Sequence, residues 1–441
     1  MMTSKADATE AFVWIWLPGA TEPVVAGRLD QDGERLLFTY GASYRSRKNA
    51  IPIYEPELPL QEGAIAPING LLMASCIRDG SPDAWGRRVI INKLTGSKPD
   101  AEGVPEISEL IYLLQSGSDR IGALDFQASA TEYVPRRAAQ ASLDELMEAA
   151  SLVEKGVPLP SALDQALNHG TSIGGARPKA LINDDTKRFI AKFSASNDTY
   201  SVVKAEFVAM RLASASGLDV ASVSIAHAAQ KDVLLIERFD RRHTKEGWTR
   251  QAMVSALTML GLDEMMARYA SYEDLAELIR HRFTAPKDTL KELYGRICFN
   301  VLCGNTDDHA RNHAAFWDGK MLTLTPAYDI CPQNRTGTEA TQAMLIKGER
   351  RASTLATCLA AAPDYHLKEA EAAALMEQQI TTIAEQWQAV CEEAELTPVD
   401  RKFFAGRQFL NSYASEGLHG HKALHAAFGA ARKALIASGD A

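Results

Sequence analysis

Three oxygen-bearing side chains, Asp307, Asn312 and Asp329, stand at fixed intervals around a segment that turns back on itself. Residues 300–330 read NVLCGNTDDHARNHAAFWDGKMLTLTPAYDI, so Asn312 follows Asp307 by five positions and Asp329 follows Asn312 by seventeen. Apolar runs at residues 313–317 and 321–325 flank Asp318-Gly319. An Asp-Gly pair between such runs predicts a tight hairpin. The segment therefore reads loop, hairpin, loop, with one acidic or amide group on either side of the hairpin. Asx-rich loops also form ordinary turns, because Asn and Asp bond their own backbone. The third oxygen donor beyond the hairpin favours a metal site over a plain turn.

Protein kinases have this order of parts: a catalytic-loop Asp, an Asn five positions on, and a metal-binding Asp after a short hairpin. In that reading Asp307 takes the proton of an attacking hydroxyl. Asn312 and Asp329 then hold Mg²⁺ on the phosphates of ATP, since this ion prefers hard oxygen ligands and few of them from protein. His309, inside the loop, is a positioning or packing group beside the nucleotide.

The remaining chain supplies matching pieces. A hairpin is expected from residues 180–183 and 188–193, with Lys192 near its end, followed by a helix over residues 203–216 closed by Gly217. Glu206 on that helix lies fourteen residues after Lys192, the spacing of a kinase lysine–glutamate pair. Ahead of the hairpin, HGTSIGGARPKA (169–180) is glycine-rich, and Gly174, Gly175 and Ala176 let backbone approach phosphates closely. No Gly-Lys-Ser/Thr follows, so it is not a Walker A loop. Glu237, Arg238 and Phe239 end an apolar strand where a kinase hinge presents backbone to adenine.

Strands are expected within residues 12–40, a turn and helix within 75–91, and helices at 108–115, 142–155, 270–280 and 288–302. Three more helices are expected at 368–393, 401–415 and 422–438. The fold class is α+β: a bilobal, kinase-like fold. It divides into a β-rich subdomain (1–130), an N-lobe-like region with the glycine-rich loop and strand lysine (131–240), and a helical C-lobe (241–441).

Composition narrows the function classes. With 441 residues, 46% hydrophobic and 23% charged, the chain is an ordinary globular protein of two or three domains. A net charge of −9 excludes whole-chain attraction to nucleic acid, and the basic runs YRSRK (44–48) and RFDRRH (238–243) read as solvated faces. No apolar run reaches membrane-spanning length and no signal-peptide core opens the chain, so a cytoplasmic protein is expected. The six cysteines show no metal or disulfide spacing. His419, His421 and His425 read as a polar helix start rather than a metal site.

The ordered set SIGGARPKA, FIAKF, AEFVAMRLA, LIERFDR, NTDDHARN and LTPAYDI resembles the HipA family of toxin kinases from bacterial toxin–antitoxin systems. Upstream, PDAWGR and DRIGAL resemble it too, and together these pieces span most of the chain. The resemblance implies a Ser/Thr protein kinase using ATP and Mg²⁺, with an aminoacyl-tRNA synthetase as the kind of protein phosphorylated. It implies a small DNA-binding antitoxin as partner, with DNA reached only through that complex. Ser172 matches the autophosphorylated serine of the glycine-rich loop, with Thr171 as the local competitor. Asp307 matches the base, Asn312 and Asp329 the metal ligands, Lys192 the nucleotide lysine and Lys179 a phosphate-side lysine. Arg177-Pro178 departs from the Gln-Glu of some members. The alternatives are a small-molecule or lipid kinase using the same chemistry, and an antitoxin-bound corepressor with kinase activity secondary.

Overall fold

The alternating residues of the N-terminal segment form an antiparallel sheet of five strands. Their order is Ala64–Ile65, Arg35–Tyr40, Val24–Asp32, Glu10–Ile15 and Leu124–Gln127. The computed structural model describes residues 8–96, 106–136, 141–160, 163, 167, 171, 173–195, 198–335 and 337–438. The chain divides into two compact units. The first comprises residues 1–197, 226–254 and 316–320, and the second residues 198–225, 255–315 and 321–441.

In the first unit the expected hairpin is present as Lys179–Asn183 and Arg188–Phe193. It belongs to a four-stranded sheet continued by Lys231–Glu237 and then Val223–Ala228, the strand in which the chain passes between the units. The helices Ala84–Thr95 and Leu143–Lys155 bury Trp85, Val89, Leu146 and Val153 with Ala180, Ala191 and Phe193 of this sheet. The second of these helices starts where its sequence dictates. Ser142 caps it in a reciprocal capping box with Glu145.

The run RFDRRH is a solvated face only at Arg242 and His243, not along its whole length as its charge suggested. Arg238, Asp240 and Arg241 are buried. Arg238 pairs with Asp119 at 3.0 Å and Asp240 at 2.8 Å, and Arg241 pairs with both at 2.8 Å. Asp240 also accepts the N–H of Gly122 at 2.8 Å, while Arg241 donates to the Gly122 carbonyl at 2.9 Å. The DRIGAL turn is thereby fastened to the end of the Lys231–Glu237 strand. Arg120, fully buried, pairs with Asp125 at 2.9 Å. Burial alone would raise the carboxyls of Asp119 and Asp240, but the facing guanidiniums outweigh it and hold both below their usual range.

In the second unit the helix Pro286–Cys303 is the core element, buried along nearly its whole length from Thr289 to Cys303. The helices Val202–Ala215, Tyr272–Arg282, Leu355–Ala361 and Glu369–Glu393 pack around it. Its start carries Pro286 in the first turn, and Gly304 ends it at φ +74°. A Cβ at Gly304 would stand 2.8 Å from the Gln408 carbonyl oxygen, so both conformation and space require glycine there. The single helix expected over residues 401–415 is a correction. A helix Pro398–Phe404 is followed by a bend with Gly406 at φ +70° and Leu410 at φ +51°, then a short 3₁₀ turn Ser412–Ser415. All six cysteines are buried and free. Among the described residues no helix is long and apolar enough to cross a membrane.

Asp240→Ala removes the carboxylate shared by two buried guanidiniums and is expected to cost about 3–5 kcal/mol of stability in urea denaturation. Because the folded carboxyls are depressed, their stabilisation is present above the ordinary Asp pKa of about 4 and fades as pH falls below it. A variant within about 0.5 kcal/mol of wild type would contradict this role.

Candidate functional site

Gly304 delivers the chain from the buried helix into residues 305–312, a loop without regular structure until the 3₁₀ turn Ala310–Asn312. Its backbone is pinned at several points. The N–H of Asn305 bonds the Asn300 carbonyl at 2.9 Å, that of Gln333 bonds Gly304 at 3.0 Å, and that of Ala343 bonds Thr306 at 3.1 Å.

The strongest anchor is Asp308, which is buried. Its Oδ2 accepts from Asn300 Nδ2 at 2.7 Å, from His313 Nε2 at 2.9 Å and from the Tyr272 hydroxyl. Asn300 Oδ1 in turn accepts from Asn305 Nδ2 at 3.0 Å. Burial alone would raise the Asp308 carboxyl, yet the His313 ring and these hydrogen bonds hold it below the usual carboxylate range. An ionised carboxylate only accepts, so Nε2 of His313 carries the proton in this contact.

With Asp308 turned inward, its neighbour Asp307 is the exposed member of the pair. The two adjacent aspartates thus have different environments and different chemistry. Desolvation raises the Asp307 carboxyl above its ordinary value; His309 works against the shift, while Asp329 and Asp308 add to it. The carbonyl of Asp307 accepts from the N–H of His309 at 2.9 Å and from Asn312 Nδ2 at 3.3 Å. That bond orients the Asn312 amide and leaves its Oδ1 as the ligand-type atom.

The hairpin expected around Asp318-Gly319 is present as Ala314–Trp317 and Leu322–Leu324. Gly319 takes φ +100° at the tip, and Asp318 accepts from the N–H of Lys320 at 2.8 Å. Beyond it, Ala327 is held by the N–H of Ala221 at 2.9 Å and donates to Asp219 at 2.8 Å. The Tyr328 hydroxyl donates to the Arg311 carbonyl at 2.7 Å, tying the end of the loop to the segment after the hairpin. Asp329 then adopts φ +58°, a left-handed conformation that non-glycine residues rarely take and that clusters at functional sites. Asp307, His309, Asn312 and Asp329 therefore share one unit. Asp329 is among the charges that raise the Asp307 carboxyl, and these two carboxylates with the Asn312 amide oxygen are hard oxygen donors of the kind that suits Mg²⁺. Among the described residues no cluster of three His, Cys, Asp or Glu has metal geometry. The His419–His425 region is no exception, although Glu369, a carboxylate distant in sequence, approaches His421 at 3.5 Å.

Apart from Glu206, which falls in the second unit, the other expected residues lie in the first unit. Lys179 and Lys192 are direct cross-strand partners, with Lys179 buried and Lys192 half-buried. Like charges directly opposite disfavour a sheet unless negative charge compensates them. A Cβ at Gly175 (φ +107°) would stand 2.6 Å from Lys179 Nζ, so the glycine lets the loop lie against the ammonium. Gly174 and Ala176 flank it; Ser172 lies outside the described residues. Of the expected hinge, Glu237 pairs with Lys187 at 2.7 Å and Phe239 stacks edge-on against Phe316 at 5.9 Å. The Arg238 side chain is buried in its ion pairs and its N–H bonds the Arg188 carbonyl at 2.8 Å. Any adenine contact at Arg238 is left to its carbonyl.

Sequence reasoning missed Asp308, Tyr272, Asn300 and His313. Asp308→Ala strips the acceptor from three buried donors and is expected to cost about 3–5 kcal/mol in chemical denaturation. Asp307→Ala, at an exposed position, is expected to cost under about 1 kcal/mol. Equal losses in the two variants would contradict the division between them.

Residues 17–127 match the family model described as HipA N-terminal domain, and residues 171–388 that described as HipA-like C-terminal domain. The chain is 30% identical over 147 residues to Y4mE of Sinorhizobium fredii, covering 32% of this chain and 33% of that protein. It is 26% identical over 183 residues to the serine/threonine-protein kinase toxin HipA of Shewanella oneidensis, covering 36% of this chain and 42% of that protein. The chain thus spans less than half the length of each of these curated relatives. Among solved structures, that of the Shewanella oneidensis HipA, HipB and operator DNA complex matches with a TM-score of 0.61 at 19% identity, over 95% of each chain. That likeness shows a shared fold, α+β and kinase-like. With both family domains present in order, the chain belongs to the HipA family.

Proposed function

We propose that this protein is an ATP- and Mg²⁺-dependent serine/threonine protein kinase acting as the toxin of a toxin–antitoxin system. The observation that carries the reading is the contrast between adjacent aspartates: Asp308 is sequestered as an anchor, and Asp307 is presented beside Asp329 and Asn312.

The chemistry follows from that arrangement. Asp307 accepts the hydroxyl proton as the oxygen attacks the terminal phosphorus of ATP, and the bond to the bridging oxygen of ADP breaks. A base with a carboxyl above its ordinary value holds that proton better than an ordinary aspartate. Asn312 Oδ1 and Asp329 would hold the cation, whose charge would neutralise that of the phosphates. Lys179 and Lys192, with the backbone of residues 173–176, receive the phosphates. The carbonyl groups at the end of the Lys231–Glu237 strand receive adenine.

The family supports the remaining assignments. The substrate is a protein hydroxyl in a translation component such as an aminoacyl-tRNA synthetase. The partner is a small DNA-binding antitoxin, as the HipB and operator DNA in the Shewanella complex suggest, and the protein works in the cytoplasm. Autophosphorylation falls on Ser172, two residues before Gly174 in sequence, where roughly −1.5 to −2 added charges would weaken ATP binding.

Incubation with labelled Mg-ATP, read by peptide mass spectrometry, tests this reading. Wild type is expected to carry phosphate on Ser172, and Asp307→Ala to lose transfer by about 10²–10⁴-fold with an unchanged circular dichroism spectrum. Transfer within a few-fold of wild type would remove Asp307 from the role of base. Label confined to Thr171 would move the modification site.

A further inference from the structure

The helix Ala84–Thr95 begins at Asp83, which occupies its N-cap position. A carboxylate there ordinarily accepts from the N–H groups of its own first turn. Asp83 makes no such bond. Its Oδ2 instead accepts the N–H of Gly175, ninety-two residues away in sequence, at 2.7 Å.

The same helix start takes hold of the glycine-rich loop at further points. The Trp85 N–H donates to the Gly175 carbonyl at 3.2 Å, so both backbone polar groups of Gly175 are engaged. Arg88 Nη2 donates to the Ala176 carbonyl at 3.2 Å, and the Trp85 indole donates to the Lys179 carbonyl at 3.1 Å. Fit is equally close. A Cβ at Gly174 would stand 2.8 Å from Asp83 Oδ2, and one at Gly86 would stand 1.9 Å from the Thr171 carbonyl oxygen. The PDAWGR and SIGGARPKA segments are thus one assembly.

We propose that Asp83 is a positioning residue for the nucleotide: it fixes the Gly174–Ala176 backbone so that Lys179 and the rest of the loop meet the phosphates already ordered. This rests on the kinase reading above. A loop ordered in advance spares ligand binding that entropy cost. The opposite role, an internal anion occupying the phosphate seat, would account for the Gly175 N–H alone. It would not account for the carbonyls of Gly175, Ala176 and Lys179, which the same helix engages and which attract no anion.

Two measurements on the full chain test the proposal in wild type, Asp83→Ala and Asp83→Asn. Hydrogen–deuterium exchange without nucleotide is expected to speed up at Gly175 in Asp83→Ala. The KM for Mg-ATP is expected to rise roughly 3- to 10-fold with kcat within about twofold. Asp83→Asn keeps an acceptor oxygen and is expected to restore most of both. Unchanged exchange at Gly175, faster exchange with unchanged KM, or a lowered KM in Asp83→Ala would each overturn the proposal, the last in favour of an anion plug. A wild type that binds no ATP would refute the kinase reading instead, and the exchange result needs no nucleotide.

Discussion

The carboxylate of Asp308, buried and accepting from Tyr272, Asn300 and His313, is the interaction on which the loop of residues 305–312 depends. An ionised carboxylate is costly to bury unless its oxygens are well satisfied. Here the donors come from three elements: a helix start, the core helix and the chain just beyond the loop. The loop can adopt the observed path only while all three keep their places. Directional bonds of this kind hold a functional group more closely than apolar packing does, which suits a base that must meet a hydroxyl at hydrogen-bond distance.

The first unit solves the same physical problem with guanidiniums as the donors. Asp119 and Asp240 hold Arg238 and Arg241, and these charges lock the DRIGAL turn to the strand that ends at Glu237. Such networks do not maximise stability, since apolar replacements of equal volume often match them. They specify geometry. The glycine-rich loop is fixed in its turn by the helix Ala84–Thr95, whose other face is buried against the four-stranded sheet. In both units a loop of functional residues is held by polar contacts to elements that are themselves anchored in an apolar core.

The spacing from Asp307 through Asn312 to Asp329 was legible because it combines local turn chemistry with a hairpin signal, both of which act over a few residues. The Lys231–Glu237 strand and the core helix were legible from periodicity. Asp308 was not: in sequence it is a second aspartate in an Asx-rich turn, and its partner Tyr272 lies thirty-six residues upstream with no periodic relation to it. The burial of Arg238 and Arg241 was hidden for a related reason, because their counter-charge Asp119 is over a hundred residues away. Asp83 stood in a segment read only as a turn and helix with a family resemblance, and its role appears once residues 83 and 175 are adjacent. The break at Gly406 was overlooked because apolar spacing on both sides continued across it.

Calorimetric titration with a non-hydrolysable ATP analogue, with and without Mg²⁺, tests most directly whether residues 307–329 divide base and metal functions as described. The variants are Asp307→Ala, Asn312→Ala and Asp329→Asn, the last chosen because Asn tolerates the left-handed backbone at that position. The account predicts that Asp307→Ala keeps the Mg²⁺-dependent gain in affinity and that the other two lose most of it. An equal Mg²⁺ dependence in all three variants would contradict it.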